Sequence, residues 1–424
     1  MNLKEKTMKN KNLKRNKITM KEVKKQVKGI TLIALVVTII VLLILAGVAI
    51  SLTIGQNGIF ARAQNAVNVY EQAATNEQSE LGKAEGLIDE YLNGNGGNQG
   101  GGSGGGEYNT GTTVEEAKNQ NKPFENDTTI TDSCTPANSI RVPEGFKIAE
   151  DSALTVEDGI VIEDKDGNQF VWIPAKTEAE GGATINLSAG GTAKVVYQRT
   201  SFTREDITTI YTETMPSDEE ASVNAWGGYY IGRFEAGDKE STEAKTMRVS
   251  GASQTNTITI KKDQVPYNYI TQANAKTKAE GMDTLQEYTT ATTKLVSSYA
   301  WDTAINFIQI KNSDYGTNSP EGNYKNTSFD YTDITGASQT KNNNSSTLIP
   351  TGQTTAVSNI YDMGGNLYEY TTESASYEFT PYVIRGGDCS SDYGNSPAGY
   401  RSNRNGNAYS SSGFRVTLYC STEN

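Results

Sequence analysis

The feature that most constrains this chain is an uncharged apolar run of 21 residues at positions 30–50. A helix of that length crosses the roughly 30 Å hydrocarbon layer of a bilayer. The preceding segment, residues 1–29, carries ten lysines and Arg15 against only Glu5 and Glu22. Because positive charge is retained on the cytoplasmic side, the sequence predicts a single-pass membrane protein with a cytoplasmic N-terminus and the rest of the chain outside.

A glycine stands at the end of the basic segment, and the residues that follow it are Ile30, Thr31, Leu32 and Ile33. A secretory signal peptide has its cleavage site after the apolar core instead. The observed order resembles that of type IV prepilins. The resemblance implies that prepilin peptidase cuts after Gly29 and methylates Ile30, and that pilin or pseudopilin subunits are partners.

The glutamate that the prepilin family carries at mature position five is Ala34 in this chain. That glutamate is thought to pair with a neighbouring N-terminus during filament assembly. Its replacement favours a minor pilin or a pseudopilin over a major subunit. A plain single-span membrane anchor is the alternative.

Apolar residues continue at helical spacing after the span, as far as Leu92. This spacing predicts a transmembrane and stalk helix over residues 30–92. Residues 93–106 are mostly glycine and asparagine, which have little to pack, and they predict a flexible linker. The chain is therefore divided into a leader (1–29), this helix, the linker and an exterior domain (107–424).

The exterior domain is rich in Tyr, Thr, Ser, Asn and Gly, with short β-type runs at 159–162, 170–173 and 413–418. A strong helical pattern is confined to 298–310. The composition predicts a loop-rich α+β fold. The chain has a net charge of −12, and removal of a leader of charge +9 leaves −21, so nucleic acid is not an expected partner.

Six short motifs in the exterior domain resemble, in order, those of formylglycine-generating (sulfatase-modifying) enzymes, whose core is a variant of the C-type lectin fold. They are Phe-Val-Trp-Ile-Pro at 170–174, Tyr-Tyr-Ile-Gly-Arg-Phe-Glu-Ala at 229–236, Trp-Asp-Thr-Ala at 301–304, Tyr-Asp-Met-Gly-Gly-Asn-Leu-Tyr-Glu-Tyr at 361–370, Arg-Gly-Gly at 385–387 and Gly-Phe-Arg-Val at 413–416. The resemblance implies a C-type lectin-like domain. It does not establish an activity, since one fold hosts many functions.

Catalysis in that family depends on two cysteines that bind copper, and the family's spacing places them at or near Ser391 and Ser396. Related members that oxidise through iron use histidines, and this chain has none. Cys389 lacks a histidine partner for nucleophilic catalysis. The sequence therefore predicts no oxidase activity and no copper, with a membrane-tethered oxidase as the alternative.

The resemblance also implies a disulfide. In C-type lectin-like folds the first and last strands of the domain usually lie together, which would join Cys134 to Cys420. Such a bond is permitted outside the membrane. Cys389 would then be a free thiol, and its pairing with either of the other two is the alternative.

A calcium site is implied in the same way, because part of one motif matches positions that hold a structural calcium in the family. Those positions are Asp362, Gly365, Leu367 and Glu369. Carboxylate and carbonyl oxygens are the ligands that calcium prefers. A turn held by hydrogen bonds alone, without an ion, is the alternative.

Residues 388–412 are the predicted ligand-binding surface. Tyr, Ser, Gly and Asn dominate the segment, as they do the recognition loops of antibodies. The predicted contact residues are Asp388, Ser390, Ser391, Asp392, Tyr393, Asn395, Tyr400, Arg401, Asn403, Asn405, Asn407 and Tyr409. An ordinary polar surface loop is the alternative.

The same segment resembles the variable region of C-type lectin-like proteins that are diversified by retroelements. It contains no Lys, Glu, Gln, Met or Trp. These five amino acids cannot arise by adenine mutagenesis of asparagine codons that end in a pyrimidine. Together these features predict a cell-surface or pilus-associated, adhesin-like protein that binds an extracellular protein or glycan, with a minor pilin or pseudopilin as the alternative.

Overall fold

The computed structural model describes residues 111–202 and 209–422. All of them belong to the unit Gly104–Asn424. The predicted leader with its processing residues Gly29 and Ile30, the stalk helix and the whole linker lie outside the described residues. Within the described ranges, no helix has the length and apolar character needed to cross a membrane.

The described part is mixed in structure, mostly sheet with few helices, and this agrees with the predicted loop-rich α+β class. The helices are α1 (Val114–Gln120), α2 (Ser217–Trp226), α3 (Lys239–Ala244), α4 (Gln272–Glu280), α5 (Met282–Gln286), α6 (Ser298–Ile308) and α7 (Tyr315–Asn318). The strands are β1 (Thr128–Thr131), β2 (Ser139–Val142), β3 (Lys147–Ile148), β4 (Val161–Glu163), β5 (Gln169–Pro174), β6 (Ala183–Asn186), β7 (Thr192–Val195), β8 (Tyr211–Thr212), β9 (Gly228–Gly232), β10 (Gly237–Asp238), β11 (Ile258–Thr259), β12 (Val265–Pro266), β13 (Ala291–Leu295), β14 (Phe329–Thr332), β15 (Ser338–Lys341), β16 (Tyr368–Ala375), β17 (Tyr382–Arg385), β18 (Arg401–Arg404), β19 (Ser412–Phe414) and β20 (Val416–Cys420).

The largest sheet has six antiparallel strands in the order β13-β20-β9-β5-β4-β3. Its middle strands β5 and β9 are buried almost throughout, which requires that both faces of the sheet be covered. Trp172 on β5 lies opposite Tyr230 on β9. The first two motifs are therefore neighbouring strands at the centre of the core.

A second sheet has the order β18-β17-β16-β19, with β8 also paired to β16. Its strand β19 runs parallel to β16. Only Arg415 separates β19 from β20, so the chain passes directly from this sheet into the six-stranded one. The remaining strands form a three-stranded sheet, β11-β10-β12, and three hairpins, β1-β2, β6-β7 and β14-β15.

The helix predicted over 298–310 is confirmed as α6, which begins at a Ser297 cap and buries nine of its eleven residues. The sequence does not predict α2 or α4. Helix α2 buries Glu219 and Ser222 beside Val223. Since two of these three buried positions are polar, no apolar stripe marks the helix in the sequence.

The predicted disulfide between Cys134 and Cys420 is not formed. The Cys420 thiol is buried and lies 3.7 Å from the carbonyl oxygen of Arg141. Arg141 is opposite Thr129 near the middle of the β1-β2 hairpin. Cys134 is exposed in the connection between those strands, so the last strand meets the hairpin at the wrong position for this bond.

Candidate functional site

The predicted binding segment is anchored on a buried cluster of four charges. Asp302 on α6 accepts hydrogen bonds from Arg385 and, at 2.7 Å, from Arg401. Arg401 also donates to Glu373 on β16 at 2.7 Å. All four side chains are fully buried, so Arg401 is a structural residue and not the surface contact that the sequence predicts.

Asp388 is a second predicted contact residue that the structure places inside the domain, with 4% of its surface exposed. Its Oδ1 accepts hydrogen bonds from the backbone and hydroxyl of Ser390, at 3.1 and 2.8 Å, and from the hydroxyl of Ser391 at 2.7 Å. An aspartate used in this way fixes a turn. Asp388 therefore shapes the loop that follows it.

The Arg-Gly-Gly motif is required by the close packing of that loop. Gly387 has φ +75°, and a Cβ atom there would stand 2.3 Å from the carbonyl oxygen of Ser396. Only glycine combines this left-handed conformation with so close an approach of two backbones. The loop 388–396 is consequently folded back onto its own start.

Three hydroxyl groups meet where the resemblance places the copper cysteines. The Tyr368 hydroxyl lies 3.1 Å from Ser391 Oγ and 3.3 Å from Ser396 Oγ. The structure therefore brings Ser391 and Ser396 together. Ser391 is half-buried and Ser396 is buried. Neutral hydroxyls are hard oxygen ligands, and copper in its reduced state selects soft thiolates.

Cys389 lies next to these hydroxyls in the sequence but is not equipped as a nucleophile. Its thiol donates a hydrogen bond to the carbonyl oxygen of Ser346 at 3.4 Å. Burial and the neighbouring Asp388 raise the pKa of the Cys389 thiol to about 12. Because the thiolate is the reactive form, this cysteine is inert near neutral pH.

Tyr368, Arg404 and Tyr409 form a stack at the surface, which we call the Arg404 stack. The Arg404 guanidinium lies 5.1 Å from the ring centre of Tyr368 and 4.9 Å from that of Tyr409. It also donates to the hydroxyls of Ser411 and Ser412, at 3.0 and 2.6 Å. All three members of the stack are half-buried, so each presents part of its surface to solvent.

The sequence prediction includes Tyr409 but misses Tyr368 and Arg404. The period of a β-strand could have identified Arg404, because β18 begins with the buried Arg401 and the residue three positions later points to the opposite face. Tyr368 lies outside the predicted segment, on β16. No local pattern indicates that it meets Arg404.

The other predicted contact residues are distributed around this stack. Ser390, Asn395, Asn405 and Asn407 are exposed, and Asp392, Tyr400 and Asn403 are half-buried. Asn405 Oδ1 accepts a hydrogen bond from the Tyr409 hydroxyl at 2.9 Å, whereas Asn403 donates to the carbonyl oxygen of Thr380 at 3.2 Å. Tyr393 is turned to a separate cleft, where its ring packs edge-on against Tyr324.

Both carboxylates of the implied calcium site accept hydrogen bonds from groups of the protein. Both carboxylate oxygens of Glu369 accept hydrogen bonds from Arg415, at 3.0 and 2.7 Å, so this carboxylate already has a cationic partner. Asp362 Oδ2 accepts from the backbone of Gly352 at 2.8 Å, and Gly365 and Leu367 are buried. In the described ranges, no group of three or more His, Cys, Asp or Glu side chains is placed to hold a metal. Calcium therefore stays a prediction from the resemblance alone.

Burial also changes the ionisation of these carboxyl groups. It raises the pKa of Asp362 to about 6, against the opposing effect of Arg415. Burial likewise raises the pKa of Glu369 to about 7, again against the opposing effect of Arg415. The neighbouring Glu235 carboxyl, also fully buried, has its pKa raised well above the usual range by burial and by Asp362.

Comparison with solved structures finds distant likenesses. PvdO from Pseudomonas aeruginosa is 15% identical, with a TM-score of 0.33, over 61% of this chain and 97% of that one. Treponema denticola variable protein 1 is 12% identical, with a TM-score of 0.30, over 60% and 96%. CarF is 15% identical, with a TM-score of 0.29, over 46% and 86%. No protein-family model matches the sequence, and no curated protein does.

Proposed function

We propose that residues 107–424 form a non-enzymatic, adhesin-like module that binds an extracellular protein or glycan, carried at the cell surface on a pilin-type helix. The observation that carries this proposal is the Arg404 stack. Tyrosine and arginine supply much of the binding energy in measured interfaces. Arg404 is already held by two rings and two hydroxyls, so little of its side-chain entropy remains to be lost on binding.

The surroundings of the stack support binding over catalysis. Ser391 and Ser396 stand at the positions implied for the copper cysteines, and the Cys389 thiol is protonated at neutral pH. The chain also contains no histidine to act as a general base or as an iron ligand. A rigid scaffold that presents polar and aromatic side chains on loops is suited to recognition.

Ligand capture tests the proposal. The purified full chain in detergent is screened against a glycan array and against extracellular proteins, and the affinity of a captured ligand is then measured for Arg404→Ala and Tyr409→Ala. Each change should weaken binding at least about tenfold, as expected for anchor residues. Leu285→Ala, at a position on α5 that is 56% exposed, is the control and should leave the affinity unchanged.

Two further measurements separate the alternatives. The same protein, supplied with copper and cysteine-containing peptides, should form no aldehyde above background, and reproducible conversion would favour the membrane-tethered oxidase. Sequencing the same gene in close relatives tests diversification. Variation confined to residues 388–412 is expected if this segment is the diversified recognition surface.

A further inference from the structure

A cleft of about 480 Å³ opens beside Tyr393, separate from the Arg404 stack. Its walls are formed by residues 320–322, 326–330 and 353–355 and by the Tyr393 ring. We call it the acidic cleft, because its lining includes Glu321 and Asp330 and no lysine or arginine. Its volume lies within the range usual for ligand sites.

The two carboxylates of the acidic cleft are held by neutral groups. Glu321 accepts a hydrogen bond from the side-chain amide of Asn312 at 3.1 Å, and Asp330 accepts one from the hydroxyl of Thr340 at 2.7 Å. Neither forms an ion pair with any residue in the described ranges. Neither negative charge is therefore paired directly with a cation in the described part of the chain.

The buried Lys341 lies beside Phe329 of the cleft but does not pair with either carboxylate. The Lys341 ammonium lies 5.7 Å from the centre of the Phe329 ring, but only 2% of the residue is exposed. It donates to the backbone carbonyl oxygens of Tyr324 and Thr327. Lys341 thus holds the chain behind the cleft and is not available to its carboxylates.

Aromatic rings complete the lining. Phe329 and Tyr393 both face the cleft. The Tyr393 ring is positioned by an edge-on contact with Tyr324, with ring centres 6.2 Å apart, and its backbone donates to Asn326 Oδ1 at 3.1 Å. In the same wall the Thr354 hydroxyl oxygen is buried and has no hydrogen-bond partner.

We propose that the acidic cleft binds the cationic side chain of a lysine or arginine from a basic polypeptide. Carboxylates and ring faces together favour an organic cation, through charge and cation–π attraction. A calcium ion would require six to eight oxygen ligands, and aromatic walls do not supply them. A polypeptide is favoured because its neighbouring residues could reach the adjacent 388–396 loop, and because the chain's net charge of −12 attracts basic partners. This inference rests on the proposed binding function and names the chemistry of its ligand.

The test uses the purified full chain in detergent and a blocked peptide, Gly-Gly-Lys-Gly-Gly. Its arginine analogue, its Nε-acetyl-lysine analogue and n-butylammonium are the comparison probes, and calorimetry gives the dissociation constants. The lysine and arginine peptides should bind. The acetylated peptide should not bind, since acetylation removes the charge.

The double variant Glu321→Gln/Asp330→Asn should weaken binding of the lysine peptide at least about tenfold, because it removes both charges of the cleft. Tyr393→Leu should weaken it by about two- to fivefold, since the ring face is lost while bulk is kept. The matched control Glu125→Gln/Glu178→Gln removes two exposed charges outside the cleft and should leave the affinity within about twofold.

Equal binding of the lysine and acetylated peptides, or equal binding by the wild type and the double cleft variant, would overturn the inference. Equal affinity for n-butylammonium and the lysine peptide would overturn the assignment to a polypeptide. The outcomes for the proposed function and for this inference can be distinguished. If Arg404→Ala abolishes capture of a ligand while the double cleft variant retains it, the binding face is supported and the cationic ligand is wrong.

Discussion

Arg415 and Glu369 form a fully buried ion pair that joins the two main sheets of the domain. Glu369 lies on β16 of one sheet, and Arg415 lies at the point where the chain enters the other. Arg415 also donates to the carbonyl oxygen of Gly232 on β9 at 2.8 Å. Two of the six motifs therefore meet in one contact, and the arginine also donates to a backbone carbonyl of a third.

Breaking this pair should strongly destabilise the domain. Glu369→Gln or Arg415→Met leaves its partner buried without a counter-ion, which costs about 3–5 kcal/mol. The double variant should lose less than the sum of the two single changes, because it removes both charges. Urea unfolding measures each value. Lys165→Met, which removes a pair between exposed side chains, is the control and should have little effect.

Glu213 should make the stability of the domain depend on pH. Its Oε2 accepts a hydrogen bond from the backbone of Ser298 at 2.8 Å, and burial raises the pKa of this carboxyl to about 8. The folded state therefore retains a proton that the unfolded state loses above about pH 4.5. The stabilisation is complete below that pH and is lost as the pH rises towards 8.

Urea unfolding between pH 5 and pH 8 tests this effect with Glu213→Gln, which mimics the protonated acid. Wild-type stability should fall by up to about 1.4 kcal/mol per pH unit from this group. The variant should have a correspondingly flatter pH profile. Parallel profiles would mean that Glu213 is ionised in the folded state.

Calcium should not stabilise the domain while Arg415 holds Glu369. We expect the melting temperature to be the same in EDTA and in millimolar calcium, since a ligand stabilises only through a site in the folded state. A rise in melting temperature with calcium that Asp362→Asn abolishes would establish the site implied by the resemblance.

The N-terminal prediction concerns processing of the leader. N-terminal sequencing of protein extracted from membranes of cells with prepilin peptidase should begin at Ile30. Gly29→Val should block cleavage and leave the leader attached, while Ala34→Glu, which restores the family residue, should be cleaved normally. An intact leader on the wild-type protein would favour the plain membrane anchor.

Much of the fold can be predicted from local sequence. The apolar stripe predicted over 298–310 identifies α6, which ends at Ile308, because nine of its eleven side chains are buried. The run at 170–173 falls in β5, and the run at 413–418 falls in β19 and β20, which Arg415 separates. Such segments are identified because burial gives a helix an apolar stripe and a fully covered strand a continuous apolar run.

Helices whose buried faces are polar cannot be predicted in this way. Glu219 on α2 is buried because its carboxylate accepts hydrogen bonds from the hydroxyls of Tyr197 and Ser297, at 2.5 and 2.8 Å. These partners are distant in the chain. Local sequence therefore gives no reason to place an acidic residue in the core.

The sequence by itself determined the residue types of the binding segment, the absence of histidine and the serines at 391 and 396. Only the tertiary structure decided which side chains face solvent. Arg401 and Arg404 lie in the same short strand, yet one is enclosed by Asp302 and Glu373 and the other lies between two tyrosine rings at the surface. The physical reason is that an arginine's role is set by the carboxylates and rings that distant segments bring to it, and neither Asp302 nor Tyr368 is near these arginines in the chain.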